Sequence, residues 1–343
     1  MSNKGFFRND YGEGAHPIVM RRLMQTNLEH TCGYGMDEYS LKAQALIVEK
    51  CACPDAQVHF LVGGTSANMI ALSAFMRPYE AAVAAAGGHI NVHETGAIEG
   101  SGHKVLIADS VEGKVTADGV RAVCREHTDE HMVHPRVLYI SQPTEVGTVY
   151  TLSELRALRA ACDECGLVLY ADGARLGSAL VSDGCDVTLA DMATLCDAFT
   201  IGGTKNGLLL GEAMVITNPE LQRDFRFMIK NRGGMLAKGR LCGVMYLAAF
   251  EKDDYFAWAR HANAMADVIR EGMARAGVEA FVRTKTNQVF AVITHEQEEI
   301  LSEGFAFERC GDVDGGHVAS RFVTSWATAD EDVQRLCAAL EAL

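Results

Sequence analysis

The sequence contains no long run of like charges, and it is poor in basic residues relative to acidic ones. Its 343 residues include 45 Asp and Glu against 31 Lys and Arg, which gives a formal net charge of −14. Nucleic-acid binding needs concentrated positive charge, because every phosphate of the ligand is negative. The composition therefore predicts a protein with no nucleic-acid partner.

Long apolar segments are also missing. The longest uncharged stretch, residues 56–76, is interrupted by the sequence GGTSAN at residues 63–68. A membrane-spanning helix needs about 20 mostly apolar residues, so we expect no membrane partner. The N-terminal segment carries charges where a secretory signal places its apolar core. The eleven cysteines are odd in number and scattered, which does not resemble a disulfide framework. Together these features predict a cytoplasmic protein.

Short apolar runs alternate with helical patterns through the first two thirds of the chain. The candidate strands are residues 57–62, 104–108, 136–140, 167–171, 197–201 and 213–217. Runs that are apolar throughout are typical of strands buried on both faces. Between two of them, Thr151 and Glu154 form a capping-box pattern at the start of an amphipathic helix. The alternation predicts an α/β fold with a mostly parallel sheet covered by helices.

The pattern changes near residue 240. Helical stretches at residues 241–250 and 255–276 precede strand candidates at residues 278–283, 288–293 and 317–323. A final helix is predicted to begin at Thr328, with Glu331 completing a second capping box. We therefore expect a large α/β domain at residues 1–245 and a smaller C-terminal α+β domain at residues 246–343.

Three chemically distinctive groups follow predicted strands. The sequence GGT at residues 63–65 opens a helix, and the free N–H groups of a helix start can hold a phosphate. Asp172 and Lys205 each come directly after or close behind a buried strand. In open α/β sheets, ligands bind at the carboxyl ends of the strands. A lysine in a desolvated site there has a lowered pKa and becomes nucleophilic.

Taken singly, the glycines at residues 63–64 are typical of an ordinary turn. Asp172 and Lys205 are typical of an ordinary salt bridge or of a solvated loop charge. Together they match the needs of pyridoxal 5′-phosphate (PLP). Its aldehyde requires a lysine for a Schiff base, its ring nitrogen requires a carboxylate, and its phosphate requires a helix start. The sequence therefore predicts PLP as the cofactor, bound covalently to Lys205.

On these motifs the sequence resembles the threonine aldolases of the β-eliminating lyase group, which are PLP enzymes of fold type I. The motifs that carry the resemblance are FRND at residues 7–10, YG at 34–35, GTSAN at 64–68, His89, DGAR at 172–175, Lys205 and RFVT at 321–324. The resemblance implies the PLP-dependent transferase-like fold. It also implies cleavage of β-hydroxy-α-amino acids, namely threonine, allo-threonine or phenylserine, to glycine and an aldehyde.

The resemblance assigns roles to residues around the cofactor. Gly64 and Thr65 are implied to bind the phosphate, Asp172 the pyridinium nitrogen, and Lys205 the aldehyde. His89 is implied to stack on the cofactor ring and is one candidate for handling the hydroxyl proton of the substrate.

Other residues are implied to bind substrate or to act across a subunit interface. Arg175 and Arg321 resemble a pair of guanidinium groups near the cofactor and the substrate carboxylate, which they can bind bidentately. Asn9 stands where the family often has serine. Tyr34 resembles a tyrosine that reaches the neighbouring subunit's active site, and Lys238 is favoured as the basic residue donated to the phosphate. These features imply a homodimer or homotetramer with shared active sites.

Glu145 marks a departure from the family pattern, because many members carry a histidine after the corresponding Asn-Thr. It is the second candidate for accepting the hydroxyl proton. Two other reactions on the same fold stay open, β-elimination and transamination, as does a non-catalytic PLP-binding role.

Two further patterns are not assigned a function. His127, His131 and His134 have ligand-like spacing, but no carboxylate or cysteine is placed to complete a tetrahedral site, so we expect no metal. Cys162 and Cys165 form a CxxC pattern that ends a helix. The negative end of the helix dipole raises a thiol pKa, which favours packing over redox chemistry.

Overall fold

Strands buried along most of their length form the centre of the molecule. The computed structural model describes residues 4–343. Its strands are β1 (Gly5–Phe6), β2 (Gln57–Leu61), β3 (Glu80–Ala85), β4 (Val105–Ala108), β5 (Ser110–Val111), β6 (Lys114–Val115), β7 (His134–Ser141), β8 (Val168–Asp172), β9 (Ala198–Gly202), β10 (Glu212–Ile216), β11 (Glu279–Val282), β12 (Gln288–Thr294), β13 (Phe305–Ala306), β14 (Glu308–Asp312) and β15 (His317–Val323).

The helices lie between these strands and cover them. They are α1 (Pro17–Thr26), α2 (Glu38–Lys50), α3 (Gly64–Phe75), α4 (His89–Val92), α5 (Ala97–Gly100), α6 (Ala117–Glu126), α7 (Leu152–Cys165), α8 (Leu176–Leu180), α9 (Leu189–Leu195), α10 (Pro219–Gln222), α11 (Phe225–Asn231), α12 (Arg240–Phe250), α13 (Asp254–Ala276), α14 (His295–Gly304) and α15 (Asp330–Glu341).

The large sheet has seven strands in the order β2-β10-β9-β8-β7-β3-β4. Strand β10 is antiparallel to both of its neighbours, β2 and β9. The other pairs are parallel. Helices α2, α7 and α12 pack on one face, and α3 and α11 pack on the other. This confirms the predicted fold, and it aligns the carboxyl ends of β7, β8 and β9 at one edge.

Strand β3 lies next to the edge strand β4 of this sheet, and the sequence pattern does not predict it. Its sequence, EAAVAA, is rich in alanine, which favours helix in isolation. All its residues after Glu80 are buried between β7 and β4. Packing against both neighbours therefore overrides local propensity here. The polar edge strand β14 is a second strand that the pattern does not predict.

One predicted helix cap is confirmed and the other is wrong. Thr151 and Glu154 form the reciprocal capping box at the start of α7. The predicted box of Thr328 and Glu331 does not form, because α15 begins at Asp330 without a side-chain cap. The hydroxyl of Thr328 instead accepts the backbone N–H of Ser325 at 2.7 Å, which stabilises the preceding turn.

A second, antiparallel sheet near the C-terminus has the order β11-β12-β15-β14. The N-terminal segment packs beside it: β1 pairs in parallel with β13 in a separate two-stranded sheet, and Phe7 is buried in the same apolar core as β12 and β15. The backbone N–H of Phe7 donates to the carbonyl of Ala306 at 2.7 Å. This pairing brings Asp10 to the edge of the large sheet. The domain division near residue 245 stays a prediction.

The spaced histidines at residues 127–134 and the CxxC pattern at residues 162–165 form neither a metal site nor a disulfide within the described part of the chain. Among residues 4–343, no group of three or more His, Cys, Asp or Glu side chains is arranged to hold a metal ion. All eleven cysteines are free. Cys162 is buried near the end of α7, and burial raises the pKa of its thiol. Across the same residues, every helix is too short or too polar to cross a lipid bilayer.

The contact between α12 and α2 provides a test of this packing. A Cβ at Gly243 of α12 would lie 2.5 Å from the backbone nitrogen and 2.6 Å from the Cα of Ser40. We expect Gly243→Ala to destabilise the protein by about 1–3 kcal/mol, because backbone atoms cannot move aside cheaply. The measurement is the thermal unfolding midpoint.

Gly304→Ala is the matched control, since a Cβ there meets no atom within 4 Å. That change should leave the midpoint unchanged or raise it slightly, because alanine favours helix. Equal midpoints for the two variants would contradict the packing described for α12.

Candidate active site

A cavity of about 390 Å³ opens at the carboxyl ends of the central strands. The sequence-predicted residues that line it are Gly64, Thr65, His89, Glu145, Asp172, Arg175 and Lys205. Strand β8 ends at Asp172, and the turn after β9 carries Lys205. The first turn of α3, which follows β2, supplies Gly64 and Thr65. The parallel strands thus bring residues that are distant in sequence to one site.

Asp172 is a buried carboxylate with three hydrogen-bond donors. Its Oδ2 accepts from Nδ2 of Asn68 at 2.9 Å and from the hydroxyl of Tyr139 at 2.8 Å. Its Oδ1 accepts from the backbone N–H of Ala174 at 2.9 Å. These bonds compensate for the loss of water around a buried charge. Asp172 is therefore fixed in position at the cavity wall.

Lys205 is the amine of the cavity. Burial, together with the positive charge of Arg175, lowers the pKa of its side chain. Its Nζ lies 6.0 Å from the centre of the Tyr11 ring, which also lines the cavity. A lysine with a lowered pKa has more of the neutral, nucleophilic form at neutral pH, so this amine is suited to attack a carbonyl carbon.

Arg175 is held by a bidentate ion pair with Asp10. Its Nε donates to Oδ2 at 2.6 Å and its Nη2 to Oδ1 at 3.1 Å. Nδ2 of Asn287 also donates to Asp10 at 2.9 Å. Burial opposes ionisation of Asp10, but the positive charges of Arg175 and Lys205 outweigh it and lower the pKa of this carboxyl. The pair fixes the guanidinium plane and leaves Nη1 without a hydrogen bond among residues 4–343.

His89 is oriented by Glu94, a residue that the sequence reasoning missed. Nδ1 of His89 lies 2.8 Å from Oε1 of Glu94, which also accepts from Nδ2 of Asn68 at 2.7 Å. Because a carboxylate only accepts, Nδ1 carries the proton and Nε2 is the acceptor of the neutral ring. Burial lowers the pKa of His89, but the bond to Glu94 and the nearby charges of Glu145 and Asp172 outweigh it and raise the pKa overall.

Two more carboxyl groups line the cavity. Oε1 of Glu145 accepts from the hydroxyl of Ser141 at 2.9 Å. Glu212, at the start of β10, was not singled out from the sequence, where it only precedes a predicted strand. The cavity wall therefore carries three acidic side chains, Asp172, Glu145 and Glu212.

Four other predicted site residues lie outside the cavity lining. Asn9 accepts the backbone N–H of Tyr11 through its side-chain oxygen at 3.1 Å. Arg321, on β15, donates to Gln288 at 3.1 Å and pairs with Glu308. Asn9 lies in the N-terminal segment and Arg321 lies in the C-terminal sheet. Neither residue lines the cavity at the strand ends of the large sheet.

Tyr34 and Lys238 lie on another part of the surface. The ring of Tyr34 is exposed and has Nζ of Lys230 at 4.8 Å from its centre. Lys238 lines a separate cavity of about 430 Å³ beside His30 and Cys32. Within a single chain, therefore, neither Tyr34 nor Lys238 reaches the Lys205 cavity.

The lining fits PLP. Gly63 and Gly64 face open space, because a Cβ at either position would meet no atom within 4 Å. Backbone N–H groups at this helix start are thus accessible to a phosphate. A fixed carboxylate, Asp172, and a buried amine, Lys205, share the same cavity. These are the groups that the ring nitrogen and the aldehyde of PLP require.

Sequence comparison identifies related proteins over nearly the whole chain. The sequence model of the beta-eliminating lyase family matches residues 7–296. The low specificity L-threonine aldolase of Pseudomonas aeruginosa is 32% identical over 334 residues, which cover 96% of this chain and 95% of that protein. The same enzyme from a Pseudomonas species is 33% identical over 341 residues, with coverage of 98% and 97%.

Structure comparison agrees with these relatives. A threonine aldolase structure from Leishmania major superposes with a TM-score of 0.97 and 40% sequence identity, covering 98% of this chain and 99% of that one. An aspartate aminotransferase of Thermus thermophilus superposes with a TM-score of 0.70 at 14% identity, covering 99% of this chain and 91% of that one. The second likeness shows a shared fold alone.

The bond between His89 and Glu94 generates a test. In Glu94→Gln the negative charge beside Nδ1 is lost, so we expect the pKa of His89 to fall. The measurement is an NMR titration of the His89 ring in the cofactor-free protein. Glu99→Gln, at an exposed carboxylate nearby, is the control and should leave the titration unchanged.

The same pair has a consequence for stability. Because the pKa of His89 is raised in the folded state, its interaction with Glu94 stabilises the fold fully at pH values below the unfolded pKa of about 6.5. This stabilisation is lost as the pH rises through the pKa that His89 has in the folded protein. An identical His89 titration in the wild type and Glu94→Gln would contradict the assigned bond.

Proposed function

The chain belongs to the β-eliminating lyase family, and we propose that it is a PLP-dependent aldolase of the threonine aldolase type. Its substrates are β-hydroxy-α-amino acids, namely threonine, allo-threonine and phenylserine, which it cleaves to glycine and an aldehyde. The observation that carries this proposal is the common cavity of Lys205, Asp172 and the α3 helix start, in a chain about one third identical to such enzymes.

Lys205 and Asp172 have complementary roles in this proposal. When bound, PLP supplies an electron sink for the pair released as the Cα–Cβ bond breaks. The amine of Lys205, whose pKa is lowered by burial, would hold the cofactor at its aldehyde group. Asp172, fixed by its three donors, would pair with the ring nitrogen. Gly64 and Thr65 bind the phosphate at the helix start.

His89 and Glu145 are the two residues that we propose as acceptors of the substrate hydroxyl proton. The bond from Nδ1 of His89 to Glu94 makes Nε2 a proton acceptor, and the imidazolium that results is stabilised by nearby negative charge. Glu145 lines the same cavity and is positioned by Ser141. A positioned base of this kind accelerates bond cleavage about 10²–10⁴-fold.

Arginine holds the substrate carboxylate. Arg175 has a fixed guanidinium plane with Nη1 still available, which suits a planar, charged ligand. Arg321 and Asn9 join this clamp, Arg321 by exchanging its ion pair with Glu308 for one with the substrate. Fixing the carboxylate would restrict the orientation of the substrate in the cavity, which is how these residues would favour cleavage of the Cα–Cβ bond.

The assembly is a homodimer or homotetramer with shared active sites, in the cytoplasm. Several large apolar side chains are exposed near the segment that carries Tyr34, including Met24, at 75% exposure, and Leu28, at 87%. Such a concentration of exposed apolar surface favours a protein–protein interface. Tyr34 and Lys238 reach the neighbouring subunit's cavity, where Lys238 contacts the phosphate. The chain divides near residue 245 into the large domain and the small one.

Product analysis tests the proposed reaction. Incubation of the holoenzyme with L-threonine, L-allo-threonine and phenylserine should yield glycine and the corresponding aldehyde in equal amounts. Lys205→Ala should lower the rate at least about a hundredfold, because the nucleophile is lost. Lys252→Ala, at an exposed lysine, is the control.

Other products separate the alternatives. A keto acid with ammonia indicates β-elimination, and a keto acid without ammonia indicates transamination. A borohydride-reducible adduct on Lys205 with no product from any hydroxy amino acid indicates a PLP-binding protein. Each of these results would contradict the aldolase.

A further inference from the structure

Glu212 is a buried acid that the proposed reaction does not use. Its residue exposure is 3%, and its carboxyl group makes no hydrogen bond among residues 4–343. Its Oε2 is fully enclosed without a partner, while the side chain lines the Lys205 cavity. Burying a carboxylate without donors costs several kcal/mol, so the charged form is strongly disfavoured.

The groups around Glu212 do not supply a donor. They are Lys205 and Asp172 in the cavity, Tyr170 on β8, Tyr246 and Cys242 on α12, and Tyr255 on α13. The tyrosine hydroxyls are engaged elsewhere, with Tyr170 donating to Asn68 at 2.7 Å and Tyr255 to the carbonyl of Gly202 at 2.8 Å. Tyr246 donates to the carbonyl of Ile201 at 2.7 Å.

Glu212 is therefore a neutral carboxylic acid at neutral pH. Burial and the negative charge of Asp172 raise its pKa to about 8, against the opposing charge of Lys205. Asp172 has three donors, whereas the carboxyl group of Glu212 has none. A neutral acid carries an O–H group, and the carboxyl group of Glu212 makes no hydrogen bond to any of the described residues.

The register of β10 places Glu212 on the face of the large sheet that α3 covers. Glu212 is paired with Leu61 of β2 and with Gly202 of β9. Paired residues of neighbouring strands face the same side of a sheet, and Leu61 is on the side that α3 covers. A Cβ at Gly202 would overlap the carbonyl oxygen of Ala174, so the backbone after β8 packs closely against β9. Leu61 is followed two positions later by Gly63, which precedes the first turn of α3.

We propose that the carboxylic acid of Glu212 donates a hydrogen bond to the phosphate of the cofactor at the start of α3. The inference rests on the proposed function only in taking PLP as the ligand of the cavity. A phosphate at this helix start would supply the acceptor that Glu212 lacks, since Glu212 lines the same cavity as Gly64 and Thr65. An ionised Glu212 would instead repel the phosphate, so PLP binding is linked to a proton on this residue.

The test compares PLP with pyridoxal, which lacks the phosphate. Their dissociation constants from the full chain are measured by absorbance titration at pH 6.5 and pH 9.5. Lys205 reacts with both aldehydes, so its own pH dependence cancels in the ratio. For a pKa of about 8, binding through the protonated form alone weakens PLP relative to pyridoxal about 30-fold over this range.

Variants at position 212 separate the acid from other sources of pH dependence. Glu212→Gln keeps a hydrogen-bond donor and cannot ionise, so its ratio of PLP affinity to pyridoxal affinity should stay constant with pH. Glu212→Leu has no donor, so it should bind PLP about tenfold more weakly at pH 6.5 and show no further loss. Glu220→Gln, at an exposed acid, should behave as the wild type.

Three results would overturn the inference. The first is a wild-type ratio of PLP affinity to pyridoxal affinity that does not fall between pH 6.5 and pH 9.5. The second is a parallel fall of this ratio in Glu212→Gln. The third is a loss of pyridoxal affinity that equals the loss of PLP affinity. Should the variants fail to fold, the wild-type ratio alone decides. Absence of any PLP binding by the wild type would remove the proposed function as well, which distinguishes the two failures.

Discussion

The structure depends on the hydrogen bonding of one carboxyl group inside a buried cavity. Asp172 accepts hydrogen bonds from three separate elements, namely α3, β7 and the turn after β8. Each donor is itself fixed by packing on the parallel sheet. Where such donors are missing, as at Glu212, the acid stays neutral. Hydrogen bonding therefore distinguishes two neighbouring acids, since Asp172 has three donors and the carboxyl group of Glu212 has none.

The same principle connects the site to the rest of the fold. Asn68 donates to both Asp172 and Glu94, and Glu94 in turn orients His89. On the opposite side, Asp10 comes from the N-terminal segment to hold Arg175. The segment is anchored by its pairing with β13, so the C-terminal region contributes to the site indirectly. The cavity is thus assembled from most of the length of the chain.

Some of this arrangement could be predicted from the sequence, and some could not. Lys205 and Asp172 could be singled out because each follows a buried strand, which is a local pattern. Glu94 and Glu212 gave no local signal, since their importance depends on which groups the fold packs around them. Strand β3 could not be predicted for the same reason, because its alanines favour strand only when neighbours bury them on both sides.

The central claim is that Lys205 and Asp172 hold opposite ends of one PLP ring. A crystal structure of the purified holoenzyme tests it most directly. The account predicts continuous density from Nζ of Lys205 to the cofactor, with the ring nitrogen about 2.7–3.0 Å from a carboxylate oxygen of Asp172. A ring nitrogen facing away from Asp172, or a cavity filled by a different ligand, would contradict it.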